Sequence, residues 1–366
     1  MSAGRELYIG LMSGTSLDGV DAALVDFATT PPTVVSTHYS PYSSAIRTEA
    51  LALNSPCPDE LDRAARLSIQ LADLSAAAVL AVLRHAAVTP ANVVAIGCHG
   101  QTIRHRPELG YTIQLVDPSR LAEHTGIRTV ADFRSRDLAA GGQGAPLVPA
   151  FHRMWFASQR VHRAVVNIGG IANVTSLPIE GSVTGFDTGP GNILLDHWAQ
   201  ECLGSPIDRD GRFAASGSVV PALLEAMLED GYFSAAPPKS TGRDHFNSGW
   251  LRSHAIEGLS PADVQATLSA LTAGSIAAAI ERYCAGVSEV FVCGGGAHNR
   301  DLMGRLEKLL QYAALSSTSA LGLDPDWVEA VAFAWLARCA VRNETSSLPE
   351  VTGARGARVL GGIYPA

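Results

Sequence analysis

Gly10-Leu11-Met12-Ser13-Gly14-Thr15-Ser16-Leu17-Asp18-Gly19-Val20-Asp21 closes one short apolar run, Leu7 to Met12, and opens another, Val20 to Phe27. Such runs read as β-strands, and Thr33 to Tyr39, beyond the turn Thr29-Thr30-Pro31-Pro32, supplies a third. The three make a meander whose first turn is rich in glycine. Glycine lets backbone come close to a ligand, and consecutive amides in a tight turn form an anion-binding nest. Thr15 and Ser16 add hydroxyl donors suited to phosphate oxygens. An ordinary hairpin turn would read the same way, so the weight of the motif depends on whether the pattern returns.

It returns. A helix of about Asp59 to Ala87, with Leu67, Leu71, Leu74, Ala78 and Val82 on one face, is followed by a buried strand, Val93 to Gly97, ending in Cys98-His99-Gly100-Gln101. Arg163 to Ile168 then runs into Gly169-Gly170, and Ile171 to Leu177 and Ser182 to Phe186 complete a second meander. A helix from Ile193 to Leu203 follows, with Asn192 placed to cap it. Val290 to Cys293 leads into Gly294-Gly295-Gly296-Ala297-His298-Asn299 and a further helix from about Asn299. The last helix has Asp324 as its cap and Pro325 at its first position, and runs to about Ala340. The class is α/β. Two lobes are expected, 1–140 and 141–366, each a mixed sheet flanked by helices, with a cleft where they meet and the C-terminal helix free to pack back on lobe I.

A chain of 366 residues suits two such domains. Its balance of 27 basic and 35 acidic residues, net −8, argues against a general nucleic-acid or anionic-membrane binder. Hydrophobic residues make up 47%, enough for a large core, so disorder is excluded. Only Lys239 and Lys308 are lysines, and neither stands in a glycine turn. A Walker-type loop, which needs one, is therefore excluded, and the first turn also lacks the dinucleotide pattern G-x-G-x-x-G. What remains is the two-lobed architecture of sugar kinases, actin and heat-shock ATPases, in which two phosphate loops open the two lobes. Six scattered cysteines without a C-x-x-C pair suit reduced core thiols. The N-terminus shows no signal-peptide pattern, and Val264 to Ile280 is too polar to span a bilayer. A cytoplasmic protein is expected.

Asp187, in Gly185-Phe186-Asp187-Thr188-Gly189-Pro190-Gly191-Asn192, is read at the end of a strand just before a helix, placed as a general base or a magnesium partner. An Asx-turn or capping role is the bland alternative. Ala131-Asp132-Phe133-Arg134-Ser135-Arg136-Asp137 is a dense charged cluster in a chain with only 17% charged residues. Its arginines suit an acidic substrate, and an internal Arg–Asp network is the competing reading. His99 and Gln101 offer donors and acceptors for sugar hydroxyls, His99 alternatively serving as a structural hydrogen-bonding residue. Glu329 could equally make a helix-dipole contact. Lys239, in Pro237-Pro238-Lys239-Ser240-Thr241-Gly242-Arg243-Asp244, is assigned no role.

The motifs GLMSGTSLDGVD (10–21), CHGQT (98–102), ADFRSRD (131–137), NIGGIAN (167–173), GFDTGPGN (185–192) and VCGGGAHN (292–299) occur in this order. Together they resemble the anhydro-N-acetylmuramic acid kinase family, from about Leu7 to Leu360. The resemblance implies a kinase of cell-wall recycling that converts 1,6-anhydro-N-acetylmuramic acid, ATP and water into N-acetylmuramic acid 6-phosphate and ADP, with Mg2+. It implies Asp187 as the catalytic residue. It places ATP on Gly14, Thr15, Ser16, Leu17, Asp18, Gly19, Val20 and Asp21, with the Gly169-Gly170 and Gly294-Gly295-Gly296 turns as further nucleotide contacts. The sugar falls to Arg134, Glu329, His99 and Gln101, the lactyl carboxylate giving the arginine cluster a target. The partners are then the amino sugar and ATP, without nucleic acid or membrane, a homodimer being left open. The competing readings are an actin-fold phosphohydrolase or acid kinase, and a nucleotide-dependent scaffold.

Overall fold

In the computed structural model, which describes residues 4–366, the first apolar run becomes β1 (Leu7–Met12), a strand buried at every position. It pairs antiparallel with β2 (Gly19–Asp26), which pairs antiparallel with β3 (Thr33–Pro41). On its other side β1 pairs in parallel with β4 (Val93–Cys98). The hairpin of β5 (Gln101–Arg106) and β6 (Tyr111–Leu115) stands apart, and β7 (Thr129–Ala131) then adds in parallel to β4. A short C-terminal strand, Gly362–Tyr364, closes the sheet antiparallel to β7. These elements form one compact unit of residues 4–151 and Trp327–Ala366.

Alternation along β1 gives its sheet two covered faces. Leu7, Ile9 and Leu11 meet Val79, Val82 and Leu83 of α1 (Glu60–Ala86) in one core cluster. Gly10, pointing the other way, lies under the C-terminal helix Val328–Val341, and so does Gly97 of β4. A Cβ on Gly10 would enter the Ala330 carbonyl, and one on Gly97 the Phe333 carbonyl. The helix backbone therefore rests directly on the sheet at two points where no larger residue fits. α1 is long and apolar enough to cross a membrane by length and composition, and 56% of its apolar window is buried within the structure. Its hydrophobic face serves this core.

His152–Asp326 form the second unit. β8 (Arg163–Ile168), β9 (Ile171–Leu177) and β10 (Thr184–Pro190) make the second meander, and β11 (Glu289–Cys293) and β12 (Ala314–Ser317) extend the sheet in parallel beyond β8. α2 (Ile193–Leu203) follows the meander. α3 (Pro261–Tyr283) and α4 (Arg300–Leu309) pack Ile276, Ile280, Leu302 and Leu306 against Val166, Val174, Val290 and Val292. The strand order, β10-β9-β8-β11-β12, repeats that of β3-β2-β1-β4-β7 in the first unit. The chain thus holds the expected α/β architecture, two mixed sheets of one topology flanked by helices.

Three local expectations are corrected. β10 starts at Thr184 and runs to Pro190, so Asp187 lies inside the strand, at a register shift between Asp187 and Gly189. Asn192 makes no side-chain cap on α2, because its Nδ2 donates instead to the Ile168 carbonyl at 3.1 Å. The helix expected from Pro325 starts at Val328. Asp324 Oδ1 accepts the Asp326 amide at 3.0 Å and the Pro325 carbonyl accepts the Gly294 amide at 2.9 Å, which holds this stretch as a turn.

Candidate functional site

In the first unit the carboxyl ends of three adjacent parallel strands, β1, β4 and β7, carry the candidates, the edge where open α/β sheets bind ligands. β1 ends in the turn from Ser13 to Asp18, with Leu17 at φ +56° and its amide 3.4 Å from the Gly14 carbonyl. Thr15 and Asp18 are exposed, Gly14 and Ser16 half-buried, while Leu17, Gly19 and Val20 are buried. Ser16 Oγ donates to Asp18 Oδ1 at 2.7 Å, and the Tyr39 hydroxyl and Tyr42 amide hold the Asp18 carbonyl at 2.9 and 2.8 Å. Asp21, half-buried, already belongs to β2.

The stretch that follows β4 props this turn. Gln101 Nε2 donates to the Gly14 carbonyl at 3.1 Å and Gln101 Oε1 accepts from the Tyr42 hydroxyl at 3.1 Å. His99 Nδ1 lies 3.1 Å from the Ser13 carbonyl. Both side chains, expected to face sugar hydroxyls, have these polar atoms engaged within the chain, and both are buried. Arg134 follows β7, donating from Nη1 to the Gly144 carbonyl at 2.8 Å and from Nε and Nη2 to His99. Asp137, fully buried, accepts the Gly144 amide and the Thr352 hydroxyl, each at 2.8 Å. The charged cluster therefore divides, Asp137 fastening the loop while Arg134 stays half-buried beside His99. Glu329 stands in the first turn of the C-terminal helix, four residues before Phe333, whose ring lies 4.8 Å from the His99 ring.

In the second unit one row of paired residues, Asp187–Asn173–Asn167–Cys293, crosses β10, β9, β8 and β11. The Gly169-Gly170 turn leaves β8 and Gly294-Gly295-Gly296 leaves β11 just beyond that row. With strands about 4.8 Å apart, Asp187 lies about 10 Å across the sheet from the first of these strands. The carbonyls of Gly169 and Gly170 accept the amides of Asn192, Gly191 and Ile193 at 2.8–3.0 Å. Gly296 packs so tightly on Ile168 that a Cβ would enter its side chain, whereas Gly295 is exposed.

Asp187 itself is half-buried and held by a segment that sequence reading left without a role. Its Oδ2 accepts the Thr241 amide at 3.0 Å, its amide donates to the Lys239 carbonyl at 3.2 Å, and its carbonyl accepts the Tyr232 hydroxyl at 2.7 Å. Burial and the Asp187 charge push the Tyr232 phenol far up, which keeps it a donor. Lys239 Nζ donates to the Tyr232 carbonyl at 2.9 Å and sits 4.5 Å from the centre of its ring. Burial is the main force pulling this ammonium below the ordinary lysine range. The proximity of Pro237 to Asp244 to other polar motifs was the signal available in sequence, but it named no partner.

The anhydro-N-acetylmuramic acid kinase family model matches residues 6–366, nearly the whole chain. The chain belongs to the anhydro-N-acetylmuramic acid kinase family. Proteins of that name from Nitrosospira multiformis and Nitrosomonas europaea are 53% and 51% identical to it over 98% of this chain and 99% of their own length. One from Thiobacillus denitrificans is 52% identical over 99% of this chain and 98% of its own. The glycine turns, Asp187, Arg134 and Glu329 of this family member all lie inside the matched span.

Proposed function

We propose that this chain uses ATP to phosphorylate O6 of 1,6-anhydro-N-acetylmuramic acid while water opens the anhydro bridge, giving N-acetylmuramic acid 6-phosphate and ADP. The observation that carries the reading is the row that brings the Asp187 carboxylate to the same sheet end as two glycine turns. In the step, a water oxygen bonds to C1 and the C1–O6 bond breaks. O6 bonds to the γ-phosphorus as the β,γ-bridging oxygen leaves with ADP. Asp187 takes the proton from the water. Because O6 leaves C1 as a phosphoester, the reaction does not need a separate strong acid. Gly14 to Asp21, with the Gly169-Gly170 and Gly294–Gly296 turns, hold the nucleotide, while Arg134 and Glu329 bind the sugar, the arginine by its lactyl carboxylate.

Among the described residues no three His, Cys, Asp or Glu side chains group to hold a metal. Asp18 or Asp21, beside the first turn, would hold a Mg2+ ion carried on the ATP phosphates, and such an ion would supply charge neutralisation for the transferring group. The six cysteines are free thiols, which fits the reducing, ATP-rich cytoplasm and a place in cell-wall recycling there.

The assay is the purified protein with the anhydro sugar and Mg-ATP in oxygen-18 water. The expected product is the 6-phosphate carrying the label at C1, formed one for one with ADP. Unlabelled C1 overturns the coupled hydrolysis. Label in inorganic phosphate without consumption of sugar would instead make the protein a phosphohydrolase.

A further inference from the structure

His99 is only 4% exposed, and each of its ring nitrogens meets a partner that fixes its role. Arg134 reaches Nε2 with Nε at 3.1 Å and Nη2 at 2.8 Å. A guanidinium has only donors, so Nε2 must be the bare, accepting nitrogen. The proton then sits on Nδ1, facing the Ser13 carbonyl at 3.1 Å, which can only accept. Both contacts require one neutral tautomer. A protonated ring would turn an N–H and a positive charge toward the arginine.

The surroundings enforce that neutrality. Burial, and then the Arg134 charge, lower the imidazole to about 3. The ring is wedged against Phe333 of the C-terminal helix at 4.8 Å, one turn beyond Glu329, and its own amide donates to the Leu11 carbonyl at 3.0 Å. Arg134 is thereby gripped along its Nε side by the imidazole and at Nη1 by the Gly144 carbonyl, which fixes the plane of the guanidinium.

We propose that His99 is a positioning residue: a permanently neutral imidazole that sets the Arg134 guanidinium for the substrate's carboxylate and anchors it to the first glycine turn through Ser13. This rests on the reading of Arg134 as the ligand of the sugar acid. His99 need not touch the substrate. It supplies the acceptor that a cation requires if it is to be held still beside a second, anionic partner.

Two variants separate the two ring nitrogens. His99→Asn keeps an amide donor near the Nδ1 position, for Ser13, and loses the acceptor. His99→Gln places its amide oxygen near the Nε2 position, for Arg134, and loses the Ser13 bond. The expected result is that His99→Asn raises the KM for the anhydro sugar about tenfold or more, with kcat and the KM for ATP changed less than about threefold. His99→Gln restores the sugar KM to within about threefold of wild type. Added to Arg134→Ala, His99→Asn has no further effect on sugar KM.

If the His99→Asn and Arg134→Ala losses multiply, or if His99→Gln is as impaired as His99→Asn, the positioning role is overturned while the arginine reading stands. An unchanged sugar KM in Arg134→Ala removes the arginine reading and this one with it. Should the variants fail to fold, nitrogen-15 spectra of histidine-labelled wild-type protein decide. The expected signature is an Nδ1–H, bare-Nε2 imidazole that does not titrate between pH 5 and pH 8, the charged group in contact with it being Arg134. An Nε2–H tautomer or a titration in that range overturns the proposal.

Discussion

Asp187→Asn lowers turnover on the anhydro sugar by about two to four orders of magnitude, the range for removing a positioned general base. The substitution is chosen so that little else changes. Asparagine has the volume of aspartate, and its amide oxygen can still accept the Thr241 amide that Oδ2 accepts now at 3.0 Å. The backbone contacts to Lys239 and Tyr232 do not involve the side chain at all. Folding and the KM values for both substrates should therefore stay near wild type, and the loss should appear in kcat, as expected for an interaction made in the transition state. Steady-state kinetics beside a thermal melt make the check. Near-wild-type kcat returns Asp187 to the structural role that an aspartate before Thr-Gly has elsewhere.

Gly97→Val costs the first unit more than about 4 kcal/mol, beyond ordinary overpacking, because the obstacle is backbone. A side chain at Gly97 meets the Phe333 carbonyl and the Ala337 Cβ, and a helix cannot move one carbonyl aside without lifting its whole packed face. Ala330, Val331, Ala334 and Leu336 on that helix are all buried, so lifting it exposes core. Insoluble expression, or a melting temperature lower by about 8 °C or more, is the expected outcome. Gly304→Ala is the control: nothing lies within 4 Å of a Cβ there, inside α4, and alanine should stabilise by about 0.5–1 kcal/mol. Equal melts for Gly97→Val and wild type would show that the helix does not rest on the sheet.

The strands, both meanders, the glycine turns and Asp187 were legible because they are local. Apolar runs stop at glycine, and a carboxylate among glycines is conspicuous in a chain so poor in charge. The features that escaped depend on partners distant in sequence. Asn192 has the right residue type for a cap, but the Ile168 carbonyl, brought beside it by the meander, competes for its amide. Asp324 and Pro325 form a sound helix start in isolation, yet the Gly294 amide and the Asp324–Asp326 turn delay the helix to Val328. Whether His99 and Gln101 face a ligand or their own chain could not be read from CHGQT. That depends on the parallel register of β1 and β4, which sets Leu11 beside Cys98 and so brings Ser13 and Gly14 within reach. The hold of Tyr232 and Thr241 on Asp187 joins residues 45 and 54 positions apart, a separation that local pattern cannot bridge.

The two points where helix backbone lies on Gly10 and Gly97 also set a timetable for the nascent chain. Trp327–Ala366 supplies that helix and the closing edge strand of the first sheet. All residues of the second unit, His152–Asp326, are synthesised before it. Domains usually mature in the order in which they are made. Here the order inverts: the later-encoded unit can complete itself first, while β1 and β4 keep one face bare until the helix Val328–Val341 has been made.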